Sequence, residues 1–215
     1  MENTKAKQVN VNLYTKYKMF SWDLLFYYAI IFLFFTQTKG ISAADVLLAE
    51  SFYPLFKIIF LVPATVLINA LGKRKSLIIG NGFVFLSIFT YIVGNNFAFI
   101  VVGELLSAIG FIIKEICESN MIYDSLESNS TRGTRFSEIE GKGTSYYYYV
   151  EGISAIIAGL LFAVNGYIPM FLCLGVTIYA TYLSTKFRNI DEKQKINIYG
   201  VHKEVKDLFN SFRLF

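Results

Sequence analysis

Three consecutive cations, Lys73, Arg74 and Lys75, interrupt the chain between two apolar runs, Leu55 to Ile68 and Leu77 to Val93. Each run is too apolar and too long for the surface element of a soluble domain. The simplest arrangement is a hairpin of two membrane helices joined through Asn69, Ala70, Leu71 and Gly72. Short loops rich in Lys and Arg stay on the cytoplasmic side of a membrane. This one turn therefore orients everything else.

The remaining cations keep the same alternation. Four precede the first apolar span, three fall between Arg132 and Lys142, and seven follow from Lys186 onward, whereas the opposite loops hold only Lys39. Lys57 and Lys114 lie inside apolar spans. The net charge of +4 is thus a matter of orientation, and a nucleic-acid partner is not indicated. With 54% hydrophobic and 17% aromatic residues among 215, the chain belongs to the membrane class. Cys117 and Cys173 both fall in apolar runs, where free cysteine behaves as a small hydrophobe. No disulfide framework, metal pattern or cofactor motif is present.

The expected fold is an all-α membrane protein with cytoplasmic N- and C-termini. Residues 1–20 form a polar, basic cytoplasmic tail without a cleavage site. Residues 21–188 form a six-helix transmembrane bundle, with spans at about 22–38, 43–71, 76–93, 97–126, 146–164 and 168–186. Residues 189–215 form a cytoplasmic amphipathic tail, with Val201, Val205, Leu208, Phe209 and Phe212 at helical spacing. Ser42 with Asp45 reads as a capping box variant that starts the second span. Pro54 and Pro63 mark helix kinks inside it, of a kind tolerated where neighbouring groups take up the freed carbonyls. Glu127 to Ser145 is the one sizeable polar loop. Within it, Gly141-Lys142-Gly143-Thr144 lacks the upstream glycine and the preceding strand of a phosphate-binding loop. Tyr146 to Tyr149 reads as an interfacial aromatic belt in preference to a ligand box.

The basic turn also carries a family resemblance. Pro63, then Asn69-Ala70-Leu71-Gly72-Lys73-Arg74-Lys75-Ser76-Leu77, is similar to the loop between helices two and three of the major facilitator superfamily, whose pattern is G-x-x-x-D-R-x-G-R-R-(K)-x-L. Gly72 and the basic triplet match. Thr65, Asn69 and Ala70 replace the leading Gly, the Asp and the first Arg, so the acidic half of the motif is lost. Tyr123-Asp124-Ser125-Leu126 and Leu48-Ala49-Glu50-Ser51 look like a bacterial branch of these transporters. The resemblance runs from about Phe34 to Arg188 and covers the N-terminal six-helix half of a family member. It implies a secondary active transporter of a small solute in the bacterial inner membrane, with or without proton coupling. It also implies a gating loop of Asn69, Gly72, Lys73, Arg74 and Lys75, whose cations pair across the cytoplasmic face. With Asn in place of Asp, that latch lacks its main anion.

Ionisable groups inside spans are the best functional pointers, because each is unfavourable in hydrocarbon unless it meets a cavity or a partner. At about 100° per residue, Glu115 and Glu118 lie about 20° and 40° to either side of Glu104, on one stripe of the fourth span. That stripe either lines a cavity that binds a cation or shuttles protons, or it consists of a Lys114 and Glu118 pair with Glu115 reaching to the interface. Glu50 and Lys57 share a face of the second span; Lys57 either senses occupancy or pairs with Glu104 or Glu115. The substrate or proton pathway is therefore assigned to Glu50, Lys57, Glu104, Glu115 and Glu118. An enzyme is not expected: His202 is the single histidine and lies in the tail, and Asp23, Asp45 and Asp124 fall at different span ends. The expected partners are the lipid bilayer, a small-molecule solute, and either a missing C-terminal half or a second copy. The competing reading is a truncated or split half-transporter without activity of its own.

Overall fold

The computed structural model describes residues 2–190, and the expected amphipathic tail lies outside them apart from its first two residues. Among the described residues the only regular secondary structure is helical. The helices are α1 (Glu2–Ser21), α2 (Ile31–Leu33) running into a π-helical turn at Phe34–Thr38, α3 (Ala43–Leu71), α4 (Lys73–Val93), α5 (Phe97–Ser125), α6 (Arg132–Val164) and α7 (Tyr167–Lys186). Five of these, α3 to α7, are long and apolar enough to cross a membrane, which makes this a membrane protein.

Local chemistry sets the boundaries. Ser42 is extended, and its hydroxyl accepts from the Asp45 amide at 3.1 Å, so α3 begins where the cap is. Asn96 caps α5 in the same way, accepting from the Phe99 amide at 3.2 Å. Between α3 and α4 the chain reverses in a single residue, Gly72, whose φ of 84° a side chain would resist. Lys39 closes the other end of the α3–α4 pair by donating to the Ile92 carbonyl at 2.6 Å and to Asn95 at 2.9 Å.

Two sequence expectations fail here. The span at 22–38 is not one helix: residues 22–30 are irregular, with only Ile31–Leu33 α-helical and Phe34–Thr38 a π turn beyond them. The basic stretch before it is a helix, α1, with Tyr14, Tyr17 and Lys18 fully or almost fully buried against α5, α6 and α7. The polar segment at 127–145 is also largely helical, because α6 begins at Arg132 and runs unbroken through Gly141 to Thr144. Its polar side chains serve α1: Glu140 takes a bond from the Tyr14 hydroxyl at 2.5 Å and an ion pair from Lys18.

The core divides along the bundle. Near Lys39 it is built from Tyr27, Phe34, Val46, Ile88, Tyr91 and Met170; near the basic turn it is built from Tyr17, Ile68, Leu77, Ile113, Met121 and Phe187. The irregular segment belongs to the first of these, through Leu24, Tyr27 and Ile30. Helix α5 is the centre, packed against α4, α3 and α1, whereas α3 and α6 flank the bundle and expose apolar faces through Leu55, Ile58, Ile153 and Leu160. Small residues let α4 and α5 approach closely. A Cβ on Gly110 would stand 2.8 Å from the Gly80 carbonyl and 2.9 Å from the Val84 amide, both backbone atoms. A Cβ on Gly159 meets nothing.

Gly110→Ala is therefore expected to lower stability by about 1–3 kcal/mol through overpacking, and Gly159→Ala to change it by less than about 0.5 kcal/mol. Thermal unfolding of the two variants in the same detergent checks the contrast; equal melting temperatures would remove the Gly80–Gly110 contact from the account.

Candidate functional site

An irregular backbone within a bundle of spanning helices needs partners for its free N–H and C=O groups, because hydrocarbon offers none. Side chains from two helices, α5 and α6, and from the segment itself supply partners around residues 22–30. The Lys114 ammonium of α5 donates to the Ser21 carbonyl at 2.5 Å, which places a cation on the C-terminal end of α1, the favourable end for positive charge. Asp23 accepts from the Leu24 amide at 2.9 Å and from the Tyr28 hydroxyl at 2.7 Å. Ser154 of α6 accepts from the Phe26 amide at 3.4 Å. Phe26 itself has φ of 63°, a left-handed conformation that is strained for a bulky residue by roughly 1–3 kcal/mol.

The break makes room. A cavity of about 200 Å³ opens beside it, walled by Leu24, Tyr27 and Tyr28 of the irregular segment with Ile31 of α2, by Glu50 and Tyr53 of α3, and by Glu104, Ser107 and Phe111 of α5. Glu104 is buried, at 6% exposure, and one of its oxygens accepts from the Tyr91 hydroxyl at 2.7 Å. Pro54 helps shape the opposite wall: with no N–H of its own, it releases the Glu50 carbonyl four residues earlier from the α3 ladder. Helix α3 nevertheless continues through both Pro54 and Pro63.

The acidic stripe of α5 divides three ways. Glu104 enters the cavity with Glu50. Glu115 instead pairs with Lys57, whose ammonium bonds both carboxylate oxygens at 2.8 and 2.9 Å, so the cross-bundle partner of Lys57 is Glu115 and not Glu104. Lys57 is fourteen residues from either end of α3, about 21 Å at about 1.5 Å per residue. The pair nevertheless remains partly open, with side-chain exposures of 28% and 48%. Glu118 faces inward against Tyr17, and one of its oxygens has no hydrogen-bond partner. Lys114 and Glu118 do not close to a direct ion pair: the Lys114 ammonium bonds the Ser21 carbonyl, while its charge still acts on the buried Glu118.

At the basic end, the sequence had suggested a latch without its anion. Asp124 supplies one: it forms an ion pair with Lys73 and lies 3.9 Å from Arg132, which also bonds the Tyr123 carbonyl at 2.9 and 2.6 Å. Arg74 donates to the Thr185 carbonyl of α7 at 2.7 Å, Lys75 is exposed, and Asn69 is half-buried in the last turn of α3. Asn10 closes the same end by accepting from the Arg188 amide at 2.8 Å and donating to the Arg188 carbonyl at 3.0 Å and to Ser125 at 3.3 Å. In the tyrosine run only Tyr147 is buried, while Tyr146, Tyr148 and Tyr149 are exposed as a belt requires.

Sequence reading missed Tyr14, Lys18 and Glu140, which tie α1 to α6, and Tyr91, which positions Glu104. A signal existed for the first group: Tyr14, Tyr17, Lys18 and Ser21 recur at the three- and four-residue spacing of a buried helix face. Among the described residues no group of His, Cys, Asp or Glu converges to hold a metal ion. Compared with known protein families and with curated proteins, the sequence matches none. Fold and site together define an all-helical membrane bundle with a broken first segment and an acidic, aromatic cavity at the break.

Replacing Lys114 with Met leaves the end of α1 and the buried Glu118 without their cation. Unfolding stability is expected to fall by about 3 kcal/mol or more in Lys114→Met, and by less than about 0.5 kcal/mol in Lys75→Met. Denaturation in a mixed detergent, followed by circular dichroism, compares them; two indistinguishable curves would rule out Lys114 as the cap of the break.

Proposed function

We propose that the chain is a six-span, major-facilitator-type bundle that carries part of the solute pathway of a secondary transporter. The observation that supports this most is the cavity at the broken first span, with Glu50 and Glu104 in its wall. Discontinuous helices beside a polar cavity are the usual construction of transporter sites, since they bring backbone ends and side chains together at membrane depth. On this reading α1 and α2 with the π turn form one span that crosses in two pieces. That gives six crossings, with both ends at the basic, cytoplasmic face of a bacterial inner membrane.

The basic triplet, the family-like Gly72 turn and the Tyr-Asp-Ser-Leu segment support the family assignment, and the Lys73–Asp124 pair gives the turn an anion to hold. The solute is small, and proton coupling would act through Glu104 or Glu50. The open Lys57–Glu115 pair favours the second reading, in which this bundle works only with a partner. A half-exposed ion pair at the middle of a span is unfavourable against lipid and needs water or another bundle over it.

Sidedness is tested by thiol labelling. Lys75→Cys is expected to react only from the cytoplasmic side and Asn95→Cys only from the other, with the buried Cys117 and Cys173 silent. Labelling of both from one side would overturn the topology. Transport is tested by uptake of a panel of radiolabelled small solutes into proteoliposomes of the full chain. Saturable uptake that is lost in an inserted Glu104→Gln variant supports the first reading. Uptake that needs a co-reconstituted second bundle supports the other, and uptake unchanged in Glu104→Gln removes that residue from the pathway.

A further inference from the structure

We propose that the cavity at the break binds a small organic ammonium ion, held between the Glu50 and Glu104 carboxylates against the tyrosine rings around them. The inference rests on the reading of this cavity as a solute site and names the class of solute. Charge comes first. The wall holds two carboxylates and no Lys, Arg or His. The nearest cations are already engaged: Lys57 by both oxygens of Glu115, and Lys114 by the Ser21 carbonyl. The shell beyond the wall adds those two lysines but also Asp23, Glu115 and Glu118, so the region stays acidic and an anionic solute would be repelled.

The carboxylates are also unfinished. Glu104 is more than nine-tenths buried, yet only one of its oxygens has a partner, the Tyr91 hydroxyl. The other oxygen receives no hydrogen bond or ion pair among the described residues. The Glu50 carboxylate likewise has none among them, although it stands in the same wall. The free Glu104 oxygen and the half-buried Glu50 carboxylate both line the cavity, and a cation entering it would meet the two together.

The rest of the wall decides between kinds of cation. Among the described residues no three His, Cys, Asp or Glu side chains converge here as a metal centre built from such ligands requires, and the wall offers two carboxylates only. Tyr27, Tyr28, Tyr53 and Phe111 instead present aromatic surface, and ring faces attract ammonium groups, most strongly where water is excluded. Two of these rings already do so within the protein, with the Lys57 ammonium 5.7 Å from the Tyr53 centroid and the Lys114 ammonium 4.4 Å from that of Phe111. Leu24 and Ile31 suit alkyl groups, and about 200 Å³ limits the guest to a few heavy atoms around the nitrogen.

Trp22, the single tryptophan, lies two residues before Leu24 of the cavity wall and serves as a fluorescence reporter, with isothermal titration calorimetry of the same mixtures as the readout that does not depend on it. The full chain in detergent micelles is titrated with tetramethylammonium, with choline, and with 3,3-dimethylbutan-1-ol, the neutral isostere of choline, at constant ionic strength. Saturable change of Trp22 fluorescence is expected with both cations and not with the alcohol. Glu104→Gln should weaken choline binding by at least about tenfold, and Tyr53→Leu by roughly threefold. Comparing choline with the alcohol on the unmodified chain needs no variant to fold. Equal binding of the alcohol would overturn the ammonium class while leaving a solute cavity in place. Saturable choline binding unchanged in a folded Glu104→Gln would overturn the site. No saturable binding of any probe would overturn the inference itself, whereas the transporter reading stands or falls on the uptake assay.

Discussion

The bond from the Lys114 ammonium to the Ser21 carbonyl holds together features that would otherwise be incompatible. A helix that stops inside an apolar bundle leaves carbonyls pointing along its axis with negative partial charge and no water to meet them. Lys114 is itself a buried cation, unfavourable alone. Each group answers the need of the other, and α1 can end at Ser21 while the chain continues irregularly to Ile30. Once that segment leaves helical geometry, its side chains spread apart and a cavity forms between Tyr27 and Glu104.

The division of the α5 carboxylates follows from this. Glu104, Glu115 and Glu118 share one stripe, yet α5 is contacted by different neighbours along its length. Near Glu118 the neighbour is α1, whose Tyr17 fills the space. At Glu115 it is α3, whose Lys57 reaches across. At Glu104 the neighbour is the irregular segment, so that carboxylate faces the cavity with only Tyr91 attached. One sequence pattern thus gives a structural group, an ion pair and a cavity group, sorted by what lies opposite.

Helix ends were legible because their signals are local: Ser42 with Asp45, Asn96 and Gly72 each act within a few residues. The bounds of α3 and the ends of α4, α5 and α7 follow from such caps and from hydropathy. The break at 22–30 carries no such signal. It contains neither Gly nor Pro, and its composition is as apolar as a spanning helix. Its cause lies 93 positions away in Lys114 and further still in Ser154, contacts that no local window contains. The helix through 132–145 was hidden for the opposite reason. Its polarity suggested a loop, whereas Glu140 is polar because it must meet Lys18 and Tyr14 of α1. Glu50 and Glu104 were legible as ionisable groups within spans, but their shared cavity depended on the break.

The bundle is finished on one side and unfinished on the other. Where α4 and α7 meet, the buried hydroxyls of Ser87, Thr177 and Ser184 donate to backbone carbonyls of their own helices. Between the flanking helices α3 and α6 the pattern reverses: Tyr28 is exposed at the break, and the Lys57–Glu115 pair is half open at the midpoint of a span. Lipid would penalise that face and reward the opposite one, so the two cannot share a solvent. Lys57 and Glu115, bonded to each other at that polar face, are favourable there only beside water or protein, so the ion pair marks the side of the bundle that hydrocarbon suits least.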